Sequence, residues 1–484
     1  MSEESLRQKA IAGVRWTSMG AVVCTLLQLL RLAVLARLLD RNSFGLMAMI
    51  TVVIGLGQLF QDVGVSNAII QRSGGNREQL SSLYWLNVVA GLLIFGLVLL
   101  FAPWVAVFYG EPRIHGLMFW AALIFLIGPF GQQFQILLQK ELQFKRLAIV
   151  EMAGIALGSV VAVWAAWMQQ GVFALVLGQI IAAISSSLLA AMLCWKVWHP
   201  LWHFRWGDVR GYVSFGLYQM GERCLNYLAW NTDKLLIGKV LGADDLGLYS
   251  VAYQIMIRPL LVINPAVTRV AFPVFSTIQQ DDERLKRGYL QVIQLLAFVS
   301  IPVYLGMLVT ADSLVSFLLG PRWAGVTTVL QILCVLGIFY SLSNPIGSLL
   351  LSKGKVNVGF WFNVVGLLVY VLGVFAGASH GVAGVAWGIL IASASVLFPI
   401  EFWIRWKLVR LRPEEFLSRL APFLILGLGM VATVSLCNLA IQTSAPGLRL
   451  VMLALLGASF YLFAVFLAKK PFLMGVISMA RSGI

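Results

Sequence analysis

Long apolar runs separated by short polar turns follow one another along almost the whole chain. A hydrocarbon core about 30 Å thick needs roughly 20 helical residues to cross it. Fourteen stretches meet that length: 17–38, 44–66, 83–105, 116–137, 148–168, 172–194, 212–236, 248–272, 289–310, 326–350, 357–377, 381–403, 421–441 and 449–468. The pattern predicts an all-α polytopic membrane protein. The seventh and eighth stretches both carry charges. The first has no small-residue cleavage site and contains Arg31 and Arg37, so it is expected to be a retained helix and not a signal peptide.

Composition agrees. Of 484 residues, 60% are hydrophobic and 11% charged, and the mean hydropathy is +0.89, which excludes a soluble globular domain. The net charge of +15 would suggest nucleic acid in a soluble protein; in a membrane protein it reports orientation, and no nucleic-acid partner is expected. With the N-terminus inside, one set of alternate connections holds twenty-three Lys and Arg residues and the other holds four, Arg41, Arg113, Arg322 and Arg449. One missed helix would scramble so sharp a split, so both termini are expected in the cytoplasm.

No connection exceeds about twenty residues, too few for a catalytic domain in a chain whose function must then lie among its helices. There is no Walker A sequence. Cys24, Cys194, Cys224, Cys334 and Cys437 are scattered through apolar stretches with no metal spacing. His199 and His203 lie in a loop with Trp198, Trp202 and Trp206, which reads as aromatic anchoring at the lipid interface in preference to a metal site. No enzyme activity, cofactor or metal is expected.

Two pairs of segments repeat. LARLLDRNSFGLM (35–47) aligns with IGKVLGADDLGLY (237–249), matching Leu39 to Leu241, Gly45 to Gly247 and Leu46 to Leu248; GVFALVLGQIIAAIS (171–185) aligns with GVAGVAWGILIASAS (381–395) with six identities in fifteen. The offsets of 202 and 210 imply a six-helix unit, duplicated in parallel. The expected organisation is an N-lobe over 1–210, a C-lobe over 211–404 and two appended helices over 405–484. GxxxG pairs, Gly154 with Gly158 and Gly384 with Gly388, read as helix packing within one chain, and a monomer is expected.

Eight basic residues remain inside the spans: Arg15, Arg31, Arg37, Arg223, Lys234, Lys239, Arg258 and Arg269. A charge at the bilayer centre costs about 2.5 to 3.5 kcal/mol on insertion scales, so such residues face a cavity or a partner. Arg15, Arg37 and Lys239 lie near helix ends and can snorkel. Gln219, Glu222, Arg223, Asn226, Trp230, Asp233 and Lys234 recur at spacings of three and four on one helix face, open to two readings: internal ion pairing or a cavity lining, the latter favoured. Arg258 and Arg269 share a face, about 20° apart at 100° per residue, with Pro259 and Pro265 between them, so that helix is expected to bend or break. Gln28 precedes Arg31 by three, and Gln58, Gln61 and Asp62 close the second stretch. Basic residues exceed the acids Asp62, Glu222 and Asp233, so the cavity is expected to be positive and its cargo anionic.

NPIGSLLLSKGKV (344–356), GQQFQILLQKELQF (131–144), LYWLNV (83–88), INPAVTRVAFPVF (263–275) and the opening RQKAIAGVRW resemble the polysaccharide flippases of the MOP superfamily, above all the colanic-acid-type Wzx proteins. The resemblance runs from about residue 5 to about 410. It implies a MOP/MATE-like fold and movement of undecaprenyl-pyrophosphate-linked oligosaccharide repeat units from the cytoplasmic to the periplasmic leaflet of the bacterial inner membrane. Membrane lipids, and the polysaccharide polymerase with its chain-length machinery, are the implied partners.

The family supplies no motif of site residues, so these rest on the charge pattern. Arg31, Arg223, Lys234, Arg258 and Arg269 are expected to meet the pyrophosphate. Gln28, Gln58, Gln219, Asn226 and Trp230 are expected to meet the sugars, with Asp62, Glu222 and Asp233 available for ion coupling. The rival readings are a multidrug or small-solute exporter of the same superfamily, which predicts an acidic lumen, and a polytopic polymerase, which predicts a large periplasmic loop.

Overall fold

The computed structural model describes the backbone of residues 3–62, 69, 76–440 and 446–482; within these, side chains are described except at 3–12, 14, 15, 62, 211–220, 222, 265, 266, 268–270, 356, 476, 477 and 479–482. The described residues are helical almost throughout. In chain order the helices are α1 (Glu3–Leu38), α2 (Arg41–Asp62), α3 (Arg77–Tyr109), α4 (Arg113–Lys140), α5 (Phe144–Trp167), α6 (Val172–Cys194), α7 (Trp206–Val240), α8 (Ala243–Thr277), α9 (Asp282–Val309) and the short α10 (Ala311–Leu318). They continue as α11 (Gly325–Ser343), α12 (Pro345–Ser352), α13 (Val356–Gly377), α14 (Gly381–Ala392), α15 (Phe398–Val409), α16 (Pro413–Ala440), α17 (Pro446–Ala468) and α18 (Lys470–Ser482).

Twelve segments among the described residues are long and apolar enough to cross a membrane. One of them, Asn357–Val409, holds two crossings, α13 and then α14 with α15, which turn at Gly381 (φ +67°). The charged α7 adds another, giving the expected fourteen. Several helices outlast their apolar windows: α7 and α8 each run 35 residues, about 52 Å at 1.5 Å per residue, so their charged ends extend beyond a 30 Å core.

Of the bend or break expected at Pro259 and Pro265, no break occurs, since α8 is continuous through both. The break falls in the tenth crossing, where Ser343 ends α11 and Pro345 opens α12; proline suits a first helical position, whose N–H has no intrahelical partner.

The chain divides into two compact units, Met1–Ser250 and Val251–Ile484. In the first, small residues bring helices into contact. Gly158 on α5 lies against Gly178 and Ala182 on α6, and Gly131 on α4 against Ser187 on α6, with no room for a Cβ at either glycine. Without a hydrophobic drive inside lipid, such close van der Waals contact holds helices together. The corner between α1 and α2 meets the corner between α7 and α8 reciprocally: Gly45 abuts the Ala243 carbonyl, and Gly247 abuts the Arg41 carbonyl. Both pairs are related by the offset of 202 seen in the sequence, so the repeated segments form a local two-fold contact. At the opposite end the loops are tied down. The Trp85 indole donates to the Leu201 carbonyl at 2.8 Å, Ser82 donates to Asp208 at 3.0 Å, and Arg77 meets His199. Trp202 and Trp206 are exposed there as an interfacial anchor would be, but Trp198 is 5% exposed and packs on Tyr84 and Phe134, so it belongs to the core.

In the second unit, α9 forms the spine. Leu285, Tyr289, Ile293, Leu296 and Ile301 face Phe416, Phe423 and Met430 of α16, and Leu453 and Tyr461 of α17 complete the cluster. The last two crossings are therefore integral to this unit. Gly373 and Gly377 on α13 interlock with Gly388 and Gly384 on α14, carbonyl against Cα. The GxxxG pairs thus serve packing within the chain. At one end of this unit Lys353 pairs with Asp282 at 2.6 Å and Lys286 with Glu415 at 3.1 Å.

Candidate functional site

In the first unit α7 packs against α2 and α3, and its polar residues occupy unlike settings. Arg223 and Asn226 are half-buried and Trp230 is exposed. One turn further on, Asp233 is buried, and its carboxylate accepts a hydrogen bond from the Tyr249 hydroxyl of α8 at 2.8 Å. The neighbouring Lys234 ammonium donates to the Asn231 side chain at 3.0 Å. The acid and the base are thus each held by a neutral polar group, a charge-assisted arrangement stronger than a hydrogen bond between neutral groups.

The two helices are fixed by Tyr227, a residue the charge pattern does not single out. Its hydroxyl donates to the Val52 carbonyl at 3.0 Å and lies over Gly55, where a Cβ would collide with it. On α2, Gln58 is exposed, whereas Gln61 is buried and donates to the Phe125 carbonyl of α4 at 3.3 Å; Gln61 therefore ties two helices together. On α1, whose main packing partner is α5, Gln28 and Arg31 are half-buried. In the second unit Arg258 is half-buried on α8. The side chains of Asp62, Gln219, Glu222 and Arg269 lie outside the described residues. Lys239, near the end of α7, stands over the Phe108 ring at 5.2 Å, as a snorkelling cation does.

A second charged constellation escapes the sequence reading, whose twelfth stretch ends at residue 403 and so leaves Arg405 among the twenty-three cations of the connections. It is 0% exposed. Its guanidinium donates to Glu401 at 2.6 Å and to the Tyr289 hydroxyl at 2.9 Å, and Ser343 donates to the same Glu401 carboxylate at 2.9 Å. Phe398, Phe402 and Phe416 box the guanidinium, with ring centroids 4.9 to 5.7 Å away. This network joins α9, α15 and the end of α11 where the tenth crossing breaks. The one signal available in sequence is the i, i+4 spacing of Glu401 and Arg405.

Among the described residues no group of His, Cys, Asp or Glu is placed to hold a metal. The arrangement offers instead half-buried cations, amides and an aromatic surface, the groups that replace water around an anionic, hydroxyl-rich solute.

Comparison with known proteins supplies the lineage. The teichuronic acid biosynthesis protein TuaB of Bacillus subtilis (strain 168) is 35% identical over 463 residues, 95% of each chain. The lipopolysaccharide biosynthesis protein WzxC of Escherichia coli (strain K12) is 33% identical over 388 residues, 80% of this chain and 79% of its own. Among solved structures, the lipid II flippase MurJ in an inward closed conformation superposes with a TM-score of 0.77 at 13% identity, covering 95% of this chain and all of its own, which identifies the fold. Residues 34–328 match the profile of the polysaccharide biosynthesis proteins, and the chain is a multi-span membrane member of that family.

Proposed function

We propose that this protein is a flippase that carries undecaprenyl-pyrophosphate-linked oligosaccharide repeat units from the cytoplasmic to the periplasmic leaflet of the bacterial inner membrane, for synthesis of a colanic-acid-like exopolysaccharide. The observation that carries this reading is near full-length kinship to TuaB, together with the sequence likeness to WzxC and the fold of MurJ. Both termini lie in the cytoplasm in this reading, the chain acts as a monomer, and it hands its cargo to a polymerase. Access to the basic cavity alternates between the two sides of the membrane in this reading.

The chemistry follows from the cargo. A pyrophosphate diester carries about two negative charges and is insoluble in hydrocarbon. Arg31, Arg223, Arg258 and Arg269 replace its hydration through bidentate contacts, with Lys234 as a point charge. Gln28, Gln58, Gln219 and Asn226 meet sugar hydroxyls, and the exposed Trp230 meets apolar sugar faces. Asp62, Glu222 and Asp233 are the coupling acids. A membrane potential negative inside favours outward movement of an anion by about 2.3 kcal/mol per charge per 100 mV. The decisive experiment is depletion of the protein followed by analysis of lipid-linked intermediates. Accumulation of an undecaprenyl-linked oligosaccharide in the cytoplasmic leaflet is the expected result; unchanged lipid pools overturn the proposal.

A further inference from the structure

The eleventh and twelfth crossings carry a surface feature that involves none of the residues assigned to the cargo. Helices α13 and α14 enclose an open groove of about 670 Å³, lined almost wholly by apolar atoms, with Leu372, Ala376, Trp387 and Ile391 on its walls and Val396 at one end. Val396 lies in the π-helical turn Ser393–Leu397 that joins α14 to α15, and Trp403 and Lys407 follow seven and eleven residues on, some 10 to 17 Å further along. The groove therefore points toward a charged end.

That end is built from stacked pairs. The Lys407 ammonium stands 4.9 Å from the Trp403 ring centroid, and the Arg410 guanidinium 5.1 Å from that of Trp406. Both tryptophans are exposed. Arg410 occupies the left-handed region (φ 52°), where glycine is the usual residue, and this turn places its side chain back over the helix. Arg412 follows, exposed. Among the described residues no carboxylate pairs with Lys407 or Arg410; of the nearby acids, Glu415 is held by Lys286 and by the Arg412 backbone N–H and also feels the Arg412 charge, and Glu414 is exposed. Exposed cations beside interfacial tryptophans, some 10 to 17 Å beyond the near end of an acyl-sized groove, match one ligand class.

We propose that this surface binds a membrane phospholipid with an anionic headgroup, its phosphate on Lys407, Arg410 and Arg412 and one acyl chain in the α13–α14 groove. None of the residues assigned to the cargo belongs to this site, and it does not depend on the flippase reading. The test uses the full chain in detergent, with native mass spectrometry counting retained phosphatidylglycerol against phosphatidylethanolamine. The double variant K407Q/R410G removes two cations, and glycine suits the Arg410 backbone, so the fold is kept. Wild type should retain phosphatidylglycerol preferentially, and the double variant should lose about tenfold in affinity, while K145Q/K196Q, with equal charge loss elsewhere, should not. Ala376→Trp, which fills the groove, should weaken retention without altering charge. Equal loss in the control pair, competition by glycerol phosphate at the same concentration, or displacement by stoichiometric undecaprenyl phosphate would each overturn the assignment.

Discussion

The buried pair Glu401 and Arg405 shows how one residue type takes two roles. Arg405 lies at the end of a crossing, where basic residues normally report orientation, yet it is sealed among three phenylalanines with an acid and a phenol as partners. Truncating one member strands the other charge, so Arg405→Met should destabilise the protein by about 3 to 5 kcal/mol, read as a fall in the midpoint of thermal unfolding in detergent. The double variant Glu401→Gln/Arg405→Met should recover much of that loss. Tyr227→Phe should cost about 1 kcal/mol through its hydrogen bond to Val52 and leave folded yield nearly intact. For the cavity residues, Arg223→Ala and Arg258→Ala should abolish polysaccharide export without loss of protein; normal export by both removes them from the site. The polar row on α7 was legible because charge inside an apolar span is conspicuous. The burial of Arg405 and the fastening of Gln61 to Phe125 were not, because a linear hydropathy profile does not report which loop-proximal positions face a neighbouring helix.

At the scale of helices, the pattern of apolar runs predicted the number of crossings, and the structure agrees, since each run of about 20 residues has only one way to satisfy its backbone in lipid. Their lengths and breaks were less accessible. Proline at 259 and 265 suggests a bend or a break in α8, and no break occurs there; proline at 345 opens a new helix after Asn344. Local sequence marks where a break is tolerated, and packing decides where it occurs. Glycine packing gives a paired test on α13: Gly377 lies against the Gly384 backbone, while Gly366 faces open space. Gly377→Val should therefore lower folded yield in the membrane several-fold, and Gly366→Val should leave it unchanged.

At the scale of the whole molecule, one of the two aligned segment pairs meets in the structure. Gly45 and Gly247, equivalent by sequence, make equivalent contacts with Ala243 and Arg41. Because either substitution, Gly45→Val or Gly247→Val, pushes the same two corners apart, the pair should couple. Each alone should destabilise the protein, and the double variant should cost clearly less than the sum, measured by thermal unfolding; full additivity would show that the corners act independently.

A two-fold contact between equivalent corners is the form taken by two identical subunits that meet through the same patch. Here one chain supplies both halves of such a contact, so Arg41 and Ala243 can differ in side chain while Gly45 and Gly247 each leave room for the carbonyl opposite.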